Sequence, residues 1–326
     1  MLAACGGDGG SSTVSLKTEQ DVTREIVNVI GLRDSAGSGS TSTMARSGVS
    51  GSMRARLAGT MAARDVSGPG RAQAKTTPAK ENVPCDSGAY VYFEFFNVAR
   101  SLPLFGVNPP VDYYYYDHDD CRLVSGSESV TTNGYEEYGD NISYSSATAE
   151  SPRYEYYAYG SGSGRYSFLF EDTSFDETFR LDSQGRGEYR DNGSSRESRE
   201  IAEFDLAVTF GSFRESVELD AGATGEPLVI VDNYGAGNAT IDGPFRYSSE
   251  ACRGGRLAYT TLQPVTFASD DFGTYVNGGE LFIESGSASV TLVFQSDGSA
   301  LYELSSGGSG IVTRAELSAY EGCQLF

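Results

Sequence analysis

Along residues 202 to 210, apolar and polar side chains alternate. Ala202, Phe204, Leu206, Val208 and Phe210 fall on one face, with Glu203, Asp205 and Thr209 on the other. A period of two predicts a half-buried strand, because successive side chains of a strand point to opposite faces of the sheet. Tyr166 to Phe170 and Val290 to Phe294 repeat the device. Turn residues separate such runs. Asp297-Gly298 predicts a hairpin between SVTLVFQ and ALYEL, and Asn277-Gly278-Gly279 and Asp242-Gly243-Pro244 predict two more. No stretch after Cys85 carries a helical stripe. The pattern therefore predicts an all-β fold, either an antiparallel β-sandwich or a curved barrel-like sheet. A faint internal echo, CDSGAYVY from Cys85 and CRGGRLAY from Cys252, suggests two modules, about 85–200 and 201–326.

The chain before Cys85 reads differently. Val22, Ile26, Val29 and Ile30 are spaced by three and four, which predicts a helix from Thr18 to Leu32. Thr18 and Asp21 resemble a capping box, with Asp in place of Glu or Gln, and Gly31 falls near the expected end. Met53, Leu57 and Met61 predict a second short helix from Ser52 to Arg64. A helix this short is marginal in water, so the first is expected to form only when packed. SAGSGSTST and DVSGPGRAQAKTTPAKENVP read as flexible tether.

Composition sharpens that division. All 38 aromatic residues (21 Tyr, 17 Phe, no Trp) follow Cys85, the first being Tyr90. An 84-residue segment with none of them is expected to bury little area, so residues 1–84 read as a mostly flexible tether and 85–326 as the folded β-domain. Residues 1–84 hold ten basic and seven acidic side chains, a balance of +3, whereas 85–326 hold 14 and 38, a balance of −24. That charge excludes nucleic acid as the expected partner, since phosphate binding needs a basic footprint. No run of eighteen apolar residues occurs, so no helical membrane span is expected.

The five cysteines separate into two roles. Met1-Leu2-Ala3-Ala4-Cys5, followed by Gly-Gly-Asp-Gly-Gly-Ser-Ser, has the order of a lipidation box and its flexible exit. Removing Cys5 leaves Cys85, Cys121, Cys252 and Cys323, an even number with three possible connectivities. Pairing in sequence order, Cys85 with Cys121 and Cys252 with Cys323, is preferred because each pair brackets the ends of a plausible meander. Such bridges imply an oxidising compartment. The absence of CxxC and of Cys/His clusters argues against zinc or haem.

On these residues the chain resembles a group of poorly characterised proteobacterial lipoproteins. They combine a lipobox, a short helix and linker, a Cys-x-Gly-Gly strand start, a second Cys and a late T-P-L-x-F strand, which corresponds here to Thr261-Leu-Gln-Pro-Val-Thr-Phe267. The resemblance implies acylation of Cys5, membrane lipid as the partner of that residue, and an outer-membrane, extracytoplasmic location. The charged and apolar stretches of such a leader are missing before Leu2, so the resemblance also implies a longer precursor. It implies no activity.

Candidate chemistry is sparse. No G-x-S-x-G, P-loop, H-E-x-x-H or full G-x-G-x-x-G is present, and a His-based triad would have to use His118, the single histidine. Asp117, Asp119 and Asp120 could offer oxygens to calcium, but alternate residues of a strand point apart, and a solvated acidic strand end is the preferred reading. Tyr113, Tyr115, Tyr156 and Tyr157 belong to runs that could stack sugar rings, although sheet packing explains tyrosine equally well. A glycosidase needs two carboxylates at a set separation, which no sequence pattern nominates. The expectation is a non-enzymatic, lipid-anchored cell-envelope protein with a structural or binding role. The alternative is a secreted carbohydrate-binding or carbohydrate-active β-sandwich.

Overall fold

The computed structural model describes residues 13–36, 79–83, 85–140, 158–249, 254–270 and 273–320. Among them, fifteen strands join one antiparallel sheet. In chain order these are β1 (Ala79–Val83), β2 (Ser87–Ala99), β3 (Pro110–Ser125), β4 (Glu128–Asp140) and β5 (Ala158–Asp172). Next come β6 (Glu177–Asp191), β7 (Ser195–Phe210), β8 (Phe213–Ala221), β9 (Leu228–Asn233) and β10 (Asn238–Ser249). The last are β11 (Gly255–Asp270), β12 (Gly273–Ser285), β13 (Ala288–Phe294), β14 (Ala300–Leu304) and β15 (Ser309–Val312). The path is a meander with one irregularity: β7 and β10 both pair with β8 toward one end and with β9 toward the other. The all-β expectation holds, in the form of one curved sheet rather than a two-sheet sandwich. The suggested division near residue 200 falls inside β7, which pairs without a break from Arg196 to Phe210. One set of ladders crosses that boundary.

Alternation sorts the residues as the sequence implies. Ala202, Phe204 and Leu206 are buried, whereas Glu203 and Asp205 are exposed. The face carrying Phe204 is the inner face, and its apolar residues form one core cluster running from Tyr166 and Phe168 on β5 to Val312 on β15.

Helix α1 (Glu19–Ala36) completes that core. Val22, Ile26, Val29 and Leu32 are each 0% exposed, and Val14 and Leu16 of the lead-in are buried beside them. The expected capping box is present: the Asp21 N–H donates to Thr18 Oγ1 at 3.2 Å, and the Thr18 N–H donates to Asp21 Oδ2 at 3.0 Å. Gly31 does not end the helix, which continues to Ala36. The lead-in is pinned as well, with the Val14 N–H donating to Ser285 Oγ at 2.7 Å. Residues 13–32 are thus part of the fold, at the head of a segment whose sequence reads as mostly flexible tether with short helices, the first of them forming only when packed. The reason is that Val, Ile and Leu suffice for one stripe when the sheet supplies the aromatic side of the contact. The helix expected at Ser52–Arg64 lies outside the described residues, as do Cys5 and most of the tether tracts; of those tracts, Ser35 and Ala36 end α1, and Ala79–Val83 pair with β2 as the edge strand β1.

Two of the three expected hairpin turns are bulges. Asp297-Gly298 does close β13 onto β14, with Gly298 at φ +82°. Gly243 and Gly279 instead lie within β10 and β12 at positive φ, with register shifts beside them. A Cβ at Gly243 would stand 2.5 Å from the Pro227 carbonyl oxygen, and one at Gly279 2.4 Å from that of Pro264. Glycine serves close strand approach here rather than reversal. Pro264 itself lies in β11 between those register shifts. A short helix, α2 (Arg314–Ser318), was not expected, although Thr313 and Glu316 form a full capping box.

A buried carboxylate ties α1 to the sheet. Glu25 is 0% exposed and accepts from the Tyr247 hydroxyl at 2.8 Å, the Tyr259 hydroxyl at 3.5 Å, Arg24 Nε at 2.8 Å and Asn28 Nδ2 at 3.3 Å. Burial, then the Glu25 charge, pushes both phenols well above their ordinary range, so they remain donors. Glu25→Ala would bury two hydroxyls without this acceptor and should lower the unfolding free energy by about 2–4 kcal/mol. Urea denaturation followed by circular dichroism measures it; a loss below about 0.5 kcal/mol would contradict the tether.

Candidate functional site

The outer face holds the sequence-nominated tyrosines. Strand pairing sets Phe93 opposite Tyr115 and Phe95 opposite Tyr113, and the aromatic ladder continues through Tyr115 to Tyr135, whose rings stack at 6.1 Å and 21°. Phe95 and Tyr113 approach to 5.3 Å between centroids. Phe93, Phe95, Val98, Arg100, Tyr113 and Tyr115 line an open groove of about 450 Å³. Tyr113 and Tyr115 therefore lie together, while Tyr156 and Tyr157 lie outside the described residues.

A second groove, about 560 Å³, adjoins the first across β4 to β7. Its floor is a register row: Tyr135 faces Arg165, Arg165 faces Gln184, and Gln184 faces Glu203. The next row sets Asn133, Ser167, Asp182 and Asp205 side by side. Gln184 donates to Glu203, and Arg180 Nε to Asp182 at 2.6 Å. Burial, then the charges of Glu218, Asp182, Asp220 and Glu203, raises the proton affinity of Asp205. None of Tyr135, Arg165, Gln184, Glu203 or Asp205 stood out in the sequence, because only register assembles them. The alternation of strand 202–210 did place Glu203 and Asp205 on one face.

Between the grooves and the sheet edge, a network fixes the floor. Glu137 accepts from the Tyr113 hydroxyl at 2.6 Å, from Ser163 Oγ at 2.6 Å and from Arg100. The Arg100 guanidinium lies 4.1 Å over the Tyr113 ring. Burial opposes ionisation of Glu137, but the Ser163, Tyr113 and Arg100 hydrogen bonds overcome it and hold the carboxyl below its ordinary value. Burial, followed by the Glu137 bond, raises the Tyr113 phenol strongly. Arg186 spans Glu137 and Glu188, at 3.8 and 3.4 Å. Glu188 has a fully buried side chain and accepts the Leu104 and Phe105 N–H groups at 3.0 and 3.2 Å, which holds the 100–109 loop down. Burial raises the Glu188 carboxyl above its ordinary value, against the Arg186 and backbone hydrogen bonds, and two carboxylates with opposed shifts could suggest an acid–base pair. Here neither suits catalysis, since Glu188 has no exposed surface and Glu137 is saturated with donors.

The remaining candidates separate. Asp117 and Asp119 are exposed on β3, and Asp120 sits at φ 44° in the β3 bulge. Among the described residues, no group of three or more His, Cys, Asp or Glu is arranged to hold a metal ion. His118 points inward, 2% exposed, with Nδ1 3.0 Å from Thr132 Oγ1 and its ring against Tyr90 and Tyr166. Cys85 and Cys121 form a disulfide joining β3 to the start of β2. Cys252 and Cys323 lie outside the described residues.

The fold and site together define a single-sheet all-β protein with paired grooves on its open face. Family models, curated proteins and solved structures offer no match to the chain.

One buried acid lies away from the grooves. Glu200, on the inner face of β7, has an oxygen without a hydrogen-bond partner among the described residues. Burial pushes its carboxyl from 4.5 up to about 7, with the Arg196 charge opposing. A raised folded-state value means the native protein binds the proton more tightly than the unfolded chain does. Its contribution to stability is therefore present below about pH 4.5 and declines as pH rises toward about 7. Glu200→Gln should flatten this slope and, at pH 8, raise the unfolding free energy by about 3 kcal/mol. Thermal and urea unfolding between pH 4.5 and 8 test it; equal pH slopes in both proteins would refute the assignment.

Proposed function

We propose that this is a lipid-anchored, extracytoplasmic protein of a bacterial envelope that binds a ligand on its outer sheet face without catalysing a reaction. The observation that carries the binding role is the adjacency of the two grooves, joined by the Tyr115–Tyr135 stack. A sheet face that retains half-exposed aromatic rings leaves apolar surface for a ligand to cover. The absence of catalysis is supported by Glu137 and Glu188 beside the first groove, which are bonded to arginine, tyrosine, serine or backbone N–H groups. The Cys85–Cys121 bridge supports an oxidising location. The anchor rests on the Leu2-Ala3-Ala4-Cys5 box. Two or three acyl chains on Cys5 would hold stably where one would not.

The experiment expresses the precursor with a lipoprotein leader in a Gram-negative host, as wild type and Cys5→Ser. Wild type should partition into detergent with the mass of an acylated N-terminus, and the variant should move to the aqueous phase unacylated. Identical partition and N-terminal mass would refute the anchor.

A further inference from the structure

The outer-face grooves are built for one chemical class of ligand. We propose that they bind an uncharged, extended oligosaccharide lying across β3 to β7; this rests on the binding role proposed above and names its ligand.

Charge decides against the other classes. A polyanion crossing the second groove meets Asp182, Glu203 and Asp205, and Asp205 already carries the field of its acidic neighbours. A polycation meets Arg165 in the middle of the floor and Arg180 at its side. Facing charges of both signs penalise either polyion and leave a neutral ligand unpenalised.

Hydroxyl groups match what the floor offers. Each sugar hydroxyl donates once and accepts twice, so it needs acceptors and donors interleaved at short range. The register row supplies them in sequence: the Arg165 guanidinium, the Gln184 amide and the Glu203 carboxylate on successive strands. Neighbouring strands are about 4.8 Å apart, so these groups repeat at a spacing suited to hydroxyls along a chain of rings. The apolar face of a sugar ring needs a flat partner. Tyr135, 43% exposed, and Tyr115 provide two stacked and nearly parallel rings. The electron-rich faces of such rings attract polarised C–H groups. The first groove, walled by Phe93, Phe95 and Tyr113, extends the same surface beyond Tyr115. Two adjoining grooves call for a chain of several sugars, not a single one.

Calorimetry on the intact protein would use cellohexaose, maltohexaose and laminarihexaose as neutral probes, with hexameric alginate and chitosan as charged controls. At least one neutral hexamer should bind more tightly than its monosaccharide, with an affinity unchanged between 50 and 500 mM salt, conditions chosen to span roughly a threefold change in Debye length. Tyr135→Ala and Gln184→Ala, each with an unchanged melting temperature, should weaken that hexamer about tenfold. The inference is overturned if no neutral hexamer binds, if only a charged control binds, or if both variants bind as wild type does. Release of reducing ends from a bound hexamer would leave this inference standing and refute the non-catalytic reading. Failure of every sugar with Cys5 still acylated would refute this inference and leave the anchor untouched.

Discussion

Inner-face side chains from β5 to β15 converge on a volume that the sheet cannot fill by itself, and α1 fills it. Phe245, Tyr247, Leu257, Tyr259, Leu281 and Ile283 present aromatic and branched surface from the sheet side. Val22, Ile26, Val29 and Leu32 answer from the helix. A fully buried side chain of this size contributes about 1.5–3 kcal/mol relative to exposure. Glu25 at the centre of that contact gives it direction, because its hydrogen bonds with Tyr247 and Tyr259 exist only in one rotation and one depth of the helix. The Asp21 carboxylate orders the entry, accepting from Ser15, Lys17 and Thr18 before the first turn. An antiparallel sheet with one solvated face requires cover on the other, and here a single helix from the start of the chain supplies part of it.

That arrangement frees the outer face for recognition. With the apolar demand met inside, side chains outside need only tolerate water, and the rows across β2 to β8 carry rings, amides, guanidinium groups and carboxylates in register. The network of Arg100, Tyr113, Glu137, Ser163 and Arg186 fixes one bank of the surface. The 100–109 loop is held by Glu188 and by Arg199, which donates to the Leu104 carbonyl oxygen at 2.6 Å. Phe105 beneath Arg190 and Arg199 adds cation–π contact to the same loop. A preformed surface of this kind avoids an ordering cost on binding.

Much of the architecture was legible because strand alternation is local: Ala202 to Phe210 show their buried face to any reader of period two. The stripe and cap of α1 were legible too. The surface it docks on was not, since the absence of aromatics before Cys85 describes what the segment brings and says nothing of what the sheet brings to it. Gly243 and Gly279 were misread as hairpin closures because positive φ serves bulges and turns alike, and only register distinguishes them. The same limit governs the site. Tyr113 and Tyr115 are neighbours along one strand, so the sequence could nominate them. Tyr135, Arg165, Gln184 and Glu203 meet only when the pairings of β4 to β7 are fixed.

The central claim is that α1 is a structural part of the sheet's core and not a helix at the end of a tether. Native-state hydrogen exchange on the intact chain, read amide by amide, tests it most directly. The account predicts that amides from Val22 to Leu32 exchange with the same opening free energy as those of Tyr259 and Ile283, and only on global unfolding. Exchange of the α1 amides at rates near those of an isolated short helix, with β11 and β12 still protected, would contradict it.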